Sequence, residues 1–167
     1  MAIAGRADMI FGAMDGYTLT HVIISLIAIA SGGAVLVGML YDRRLDRTTL
    51  LFVLFSALTN LTGFGFPITG QTPALVLGVV SSIVLLVSIV ARYAMRMRGA
   101  WRTVYVVTAA MVLWFNVFVL IVQSFQKVPA LHALAPTGAE LPFAAAQGVV
   151  LVAFIVSGLM AAMRFKP

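Results

Sequence analysis

The sequence predicts an all-α integral membrane protein: a bundle of five transmembrane helices, N-terminus outside and C-terminus inside. Three observations predict it. The 167-residue chain is 62% hydrophobic and only 10% charged, whereas a soluble globular domain carries about 25% charged residues. Between Arg47 and Arg92 lie 44 residues without one Asp, Glu, Lys or Arg, about twice the length a helix needs to cross a bilayer core. The basic residues, finally, gather in alternate connections.

The spans are expected at 17–40, 48–66, 73–91, 103–126 and 141–163, all free of acidic and basic residues. The first is preceded by Asp8 and Asp15 rather than by the positive segment of a signal peptide, so Ala28-Ile29-Ala30 is read as part of a retained span. The second and third share the charge-free run, which Gly63-Phe64-Gly65-Phe66-Pro67-Ile68-Thr69-Gly70-Gln71-Thr72-Pro73 breaks into a hairpin. The fourth runs from Thr103 until the prolines of the segment 128–142 end it. The fifth has two candidate starts: a capping box at Thr137–Glu140, and Pro142 at the first helical position. Ahead of the first span, Met9, Ile10, Phe11 and Met14 are expected to lie in the membrane interface. The whole chain, 1–167, reads as one membrane domain.

Charge then sets the orientation. Arg43, Arg44, Arg47, Arg92, Arg96, Arg98, Arg102, Arg164 and Lys166 fall on one side of a five-span arrangement, with Asp42 and Asp46. The other side holds Arg6 and Lys127 against Asp8, Asp15 and Glu140. Short loops rich in Lys and Arg mark the cytoplasmic face. The split of +7 against −1 accounts for the net +6, so the basic balance reports topology and not nucleic-acid binding. Tyr41, Trp101 and Tyr105 sit at the inner boundary, where interfacial aromatics belong.

Small residues offer packing faces: Ala30, Ala34 and Gly38 in the first span, Gly78, Ser81, Ser82 and Ser88 in the third, and Ala144, Gly148, Ala153, Ser157 and Ala161 in the fifth. Such faces let helix backbones approach where lipid gives no hydrophobic drive. They suit intramolecular packing, self-association or docking on another membrane subunit.

Polar side chains within the spans fall mostly in the outer half. His21, Asn60, Thr62, Asn116, Gln123 and Gln147 are the candidate lining of an outer-leaflet pocket for a lipid, a quinone or a pigment. Interhelical hydrogen bonding explains the same residues without a ligand. His21 and His132 are the two histidines, and they would be metal ligands only if a haem were bound between them. Two histidines without cysteine do not complete a zinc or copper site. No intramembrane acid offers a proton relay, and no nucleophile–base pair is visible. The expectation is therefore a small non-catalytic accessory or structural subunit, with no cofactor assigned. The alternatives are a redox protein holding haem or quinone near His21, and a small transporter.

One resemblance adds to this. The segments Leu61-Thr62-Gly63-Phe64-Gly65-Phe66-Pro67, Trp101-Arg102-Thr103-Val104-Tyr105, Asn116-Val117-Phe118-Val119, Val128-Pro129-Ala130-Leu131, Ala135-Pro136-Thr137 and Leu141-Pro142-Phe143 resemble small uncharacterised multi-pass bacterial inner-membrane proteins. The resemblance implies a bacterial inner membrane; the partners expected from the spans and small-residue faces are membrane lipids and other membrane subunits or further copies of the chain. It implies no reaction, cofactor or site.

Overall fold

The computed structural model describes residues 15–66 and 73–166, with the side chains of 73 and 74 left aside. The expected interfacial segment 2–14 and most of the hairpin break, including Gln71, lie outside the described residues. Those described form helices and turns and no strand. The helices are α1 (Gly16–Leu40), α2 (Asp46–Gly63), α3 (Pro73–Ile89, continuing as a π turn over Val90–Ala94), α4 (Ala100–Lys127), the single turn α5 (Pro129–His132) and α6 (Leu141–Arg164).

Local chemistry fixes the helix ends. Asp15 caps α1, its carboxylate accepting the Thr18 N–H at 2.6 Å. At the other end, the Arg43 N–H returns to the Gly38 carbonyl at 2.8 Å, and Asp42 takes the left-handed conformation at φ 54°. That is the backbone stop usually given to glycine, which a short polar side chain also tolerates. The π turn closes with Met95 N–H on the Val90 carbonyl at 2.9 Å. Arg96, Met97 and Gly99, all at positive φ, then turn the chain into α4. Of the two candidate starts for the last helix, the proline one forms: α6 begins at Leu141 with Pro142 in its first turn. Thr137 instead donates its hydroxyl to the Glu140 carboxylate at 2.8 Å, inside the turn before the helix.

Among the described residues, four helices are long and apolar enough to cross a membrane: Gly16–Leu40, Leu75–Ala94, Ala100–Lys127 and Leu141–Arg164. The expected second span, α2, is not among them. Asp46 and Arg47 occupy its first turn, and Thr49, Ser56 and Asn60 lower its hydropathy further along. Two of those polar residues, Thr49 and Ser56, are almost fully buried, so the polar side of α2 faces the protein.

The helix α2 runs antiparallel along α1 and lies chiefly against it. Its end at Thr62 reaches His21 and Tyr17 in the first turns of α1. Its start at Asp46 reaches Arg92 at the end of α3. The long α4 is the hub, touching α1, α3 and α6. Of its most apolar stretch 39% is buried, against 6% for α6, so α6 is the peripheral helix. The core lies toward the basic end, around Phe52, Leu85, Tyr105, Val112, Leu113 and Phe165.

The small-residue faces divide. At Gly32, α1 packs tightly on α2 and α4: a Cβ there would stand 2.6 Å from the Phe52 ring and 2.8 Å from Leu113. Gly38 and Ala161 are buried. Ala30 and Ala34 on α1, and Ala144, Gly148 and Ala153 on α6, point away from the bundle. The expected α1 stripe is thus split, because the register that turns Gly32 and Ala28 inward turns Ala30 and Ala34 outward.

Candidate functional site

The sequence-predicted pocket residues fall on several helix seams. His21 meets Thr62 across α1 and α2, with Nδ1 and Oγ1 2.7 Å apart. The Tyr17 hydroxyl donates to the Thr62 carbonyl at 2.5 Å. Phe66 stands edge-on to both rings, with centroids 5.1 Å away in each case. This cluster pins the N-terminal end of α1 to the C-terminal end of α2.

Asn60 faces α3, where the Ser81 hydroxyl donates to its Oδ1 at 3.3 Å. Asn116 is buried, its Nδ2 donating to the Val112 carbonyl at 3.0 Å and reaching Ser56 Oγ at 3.5 Å. Gln147 joins α6 to α4, its Nε2 donating to the Phe118 carbonyl at 3.2 Å. Gln123 is exposed. His21 and Thr62 are therefore brought together, while Asn60, Asn116 and Gln147 each serve a different helix pair. His132 is exposed on α5. Among the described residues there is no group of three or more His, Cys, Asp and Glu placed to hold a metal ion.

The more specific arrangement is at the opposite, basic end. Arg92 lies in the π turn and is only 5% exposed. Its Nη2 donates to Asp46 Oδ1 at 2.5 Å, and the same oxygen accepts Arg44 Nε at 2.8 Å. The guanidinium lies over Tyr105 at 5.0 Å and near Tyr93 at 5.6 Å from the ring centroids, within cation–π range. A π turn adds a residue to the helical winding. Here it brings Arg92 against α2 and α4 and turns Tyr93 outward. The hydrogen bond from Arg44, then the charges of Arg44 and Arg92, hold the Asp46 carboxyl below its ordinary range.

Two further contacts close this end. Arg102 of α4 donates to the carbonyls of Ala162, at 3.0 Å, and of Phe165. It thereby satisfies acceptors that the end of α6 leaves free. The Lys166 N–H donates to Asp42 Oδ1 at 2.6 Å. The connections after α1 and α3 and the end of α6 thus meet at one level.

Sequence reasoning placed Arg92 in a loop and Tyr105 in the membrane interface. The structure corrects both: Arg92 is inside the protein and Tyr105, 1% exposed, packs beneath it. Nor is the basic half of the bundle poor in buried polar groups, since Thr49, Ser88 and Arg92 are all there. The available signal was Arg92 itself, a charge directly continuing an apolar helix, with Asp46 in the facing connection as its counter-charge.

An open cleft of about 350 Å³ lies beside the ion pair, lined by Arg44, Asp46, Arg47, Leu50, Arg92 and Tyr93. A second concavity of about 300 Å³ lies farther along α2 and α3, lined among others by Ala57, Asn60, Leu61, Phe64, Leu86 and Ile89. These apolar helices and their buried polar contacts describe a membrane-embedded helical protein. The chain matches no family model, no curated protein and no solved structure.

Proposed function

We propose that this chain is a small non-catalytic subunit of a bacterial inner-membrane assembly, acting by docking its outer helix faces on partner helices. In this reading all five long helices cross the bilayer, with the basic end in the cytoplasm. The charge-free crossing part of α2 begins at Thr48. Its polar groups are tolerated because they face α1, α3 and α4 instead of lipid.

The observation that carries the proposal is the outward face of α6. Ala144, Ala145 and Gly148 are exposed there, and a Cβ on Gly148 would meet nothing within 4 Å. A helix that only touches lipid has no need of such a face, whereas a partner helix approaches closely at small residues. The outward Ala30 and Ala34 of α1 offer a second, smaller face of the same kind.

Native mass spectrometry of the chain released from its own membrane in mild detergent tests this. A fixed stoichiometric partner that Gly148→Leu abolishes is the expected result. A monomer, or a self-oligomer alone, overturns it. The same spectra report any bound haem, quinone or pigment by mass.

A further inference from the structure

We infer that the seam between α2 and α3 is a binding site for one anionic phospholipid, its phosphate at the Arg44–Arg47–Arg92 cleft and an acyl chain along the groove toward Ala57 and Leu61. The inference goes beyond the docking proposal and needs only that the chain is embedded in a bilayer.

The two helices leave this seam open because each is held elsewhere: α2 lies chiefly on α1, and α3 chiefly on α4. They join at the basic end through Arg92 and Asp46. They join again at the far end, through Asn60 and Ser81 and through the Phe64 ring over Gly78. Between those joints lie the two concavities.

Both concavities fall on one face of each helix. On α2 that face repeats every three or four residues, through Arg47, Leu50, Leu54, Ala57 and Leu61, the period of a single helical stripe. On α3 the matching row is Ile89 and Tyr93 behind Leu86. The stripe is charged at one end and apolar along the rest, as a phospholipid is. Ala57, ten residues beyond Arg47, lies about 15 Å deeper, roughly the depth of one leaflet.

The charge of the cleft fixes the sign of the ligand. Three guanidinium groups face one carboxylate, leaving two positive charges uncompensated. Arg92 is held rigidly by its ion pair and by Tyr105. Arg44, about half exposed, and Arg47 remain available for a bidentate phosphate contact. Each Lys or Arg at the membrane surface contributes about 1 kcal/mol toward an anionic lipid.

The test is lipid titration of the detergent-purified full chain, followed by native mass spectrometry. The expected result is one tightly held phosphatidylglycerol per chain, and weaker retention of phosphatidylethanolamine with the same acyl chains. Arg44→Gln with Arg47→Gln should weaken phosphatidylglycerol about 30-fold, from two lost charges. Ala57→Phe, which fills the groove, should weaken it with all charges present. The exposed pair Arg98→Gln with Arg164→Gln is the charge-matched control and should leave retention unchanged. Equal retention of the two lipids overturns the inference, as does an equal loss in the control pair. Displacement by millimolar inorganic phosphate would identify a free-anion site instead, and would also overturn it. Loss of the docking partner with lipid retention intact would count against the proposed function and not against this site.

Discussion

At the scale of single residues, the Arg92–Asp46 pair is the sharpest feature. A buried guanidinium is costly unless it is paired and hydrogen-bonded. Asp46 is itself well exposed, so the pair is discounted toward a surface value of about 1 kcal/mol. Asp46→Asn should lower thermal stability in detergent by that amount at neutral pH. The Asp46 carboxyl is held below its ordinary range, so its contribution is present above that range and is lost as pH falls through the lowered value. Unfolding followed from pH 7 to pH 3 should show the wild type and Asp46→Asn converging toward the acid end. A difference that persists unchanged into acid would assign the effect to packing. A second residue-scale expectation concerns the opposite end, where Thr62→Val removes the hydroxyl that meets His21. It should cost about 0.6 kcal/mol, the average for a membrane-embedded side-chain hydrogen bond, measured in the same assay. Which polar residues bond to which was not legible in the sequence. Spacing places His21 and Thr62 at the same depth, but only the rotation of each helix decides that they face each other while Gln123 faces out.

At the scale of helices, boundaries were legible and faces were not. The expected 17–40 and 141–163 correspond to Gly16–Leu40 and Leu141–Arg164, because charge, Asp15 and Pro142 mark the ends directly. The expected α1 stripe of Ala30, Ala34 and Gly38 divides, Gly38 inward and the two alanines outward, and the crowded crossing falls at Gly32. The neighbouring glycines therefore give a clean contrast. Gly32→Ala should destabilise the bundle by about 1–3 kcal/mol, because the buried Phe52 and Leu113 have little room to move. Gly33→Ala and Gly148→Ala meet nothing within 4 Å and should leave thermal stability unchanged. If Gly33→Ala proves as harmful as Gly32→Ala, the rotation assigned to α1 is wrong. Hydropathy alone separates α2 from its neighbours for a related reason: it sums over all sides of a helix. The buried Thr49 and Ser56 therefore count against α2 as if they faced lipid.

At the scale of the whole molecule, the three groups of basic residues predicted to share a side do meet. Arg92 reaches Asp46, Arg102 reaches the end of α6, and Lys166 reaches Asp42. That much was legible because alternating charged connections leave few arrangements. Which side of the membrane this end faces is open to a direct experiment, and the absence of cysteine makes it simple. Arg98→Cys at the basic end should resist a membrane-impermeant maleimide in intact cells, while Pro136→Cys, between α5 and α6, should react. The reverse pattern would invert the proposed orientation. The contacts at the basic end also impose an order in time. Arg102 must wait for carbonyls 60 and 63 residues later in synthesis, and Asp42 for an N–H 124 residues later. The helices α1 to α4 are therefore synthesised while this end is still unlatched. It closes only when α6 arrives, through the bonds of Arg102 to Ala162 and Phe165 and of Lys166 to Asp42.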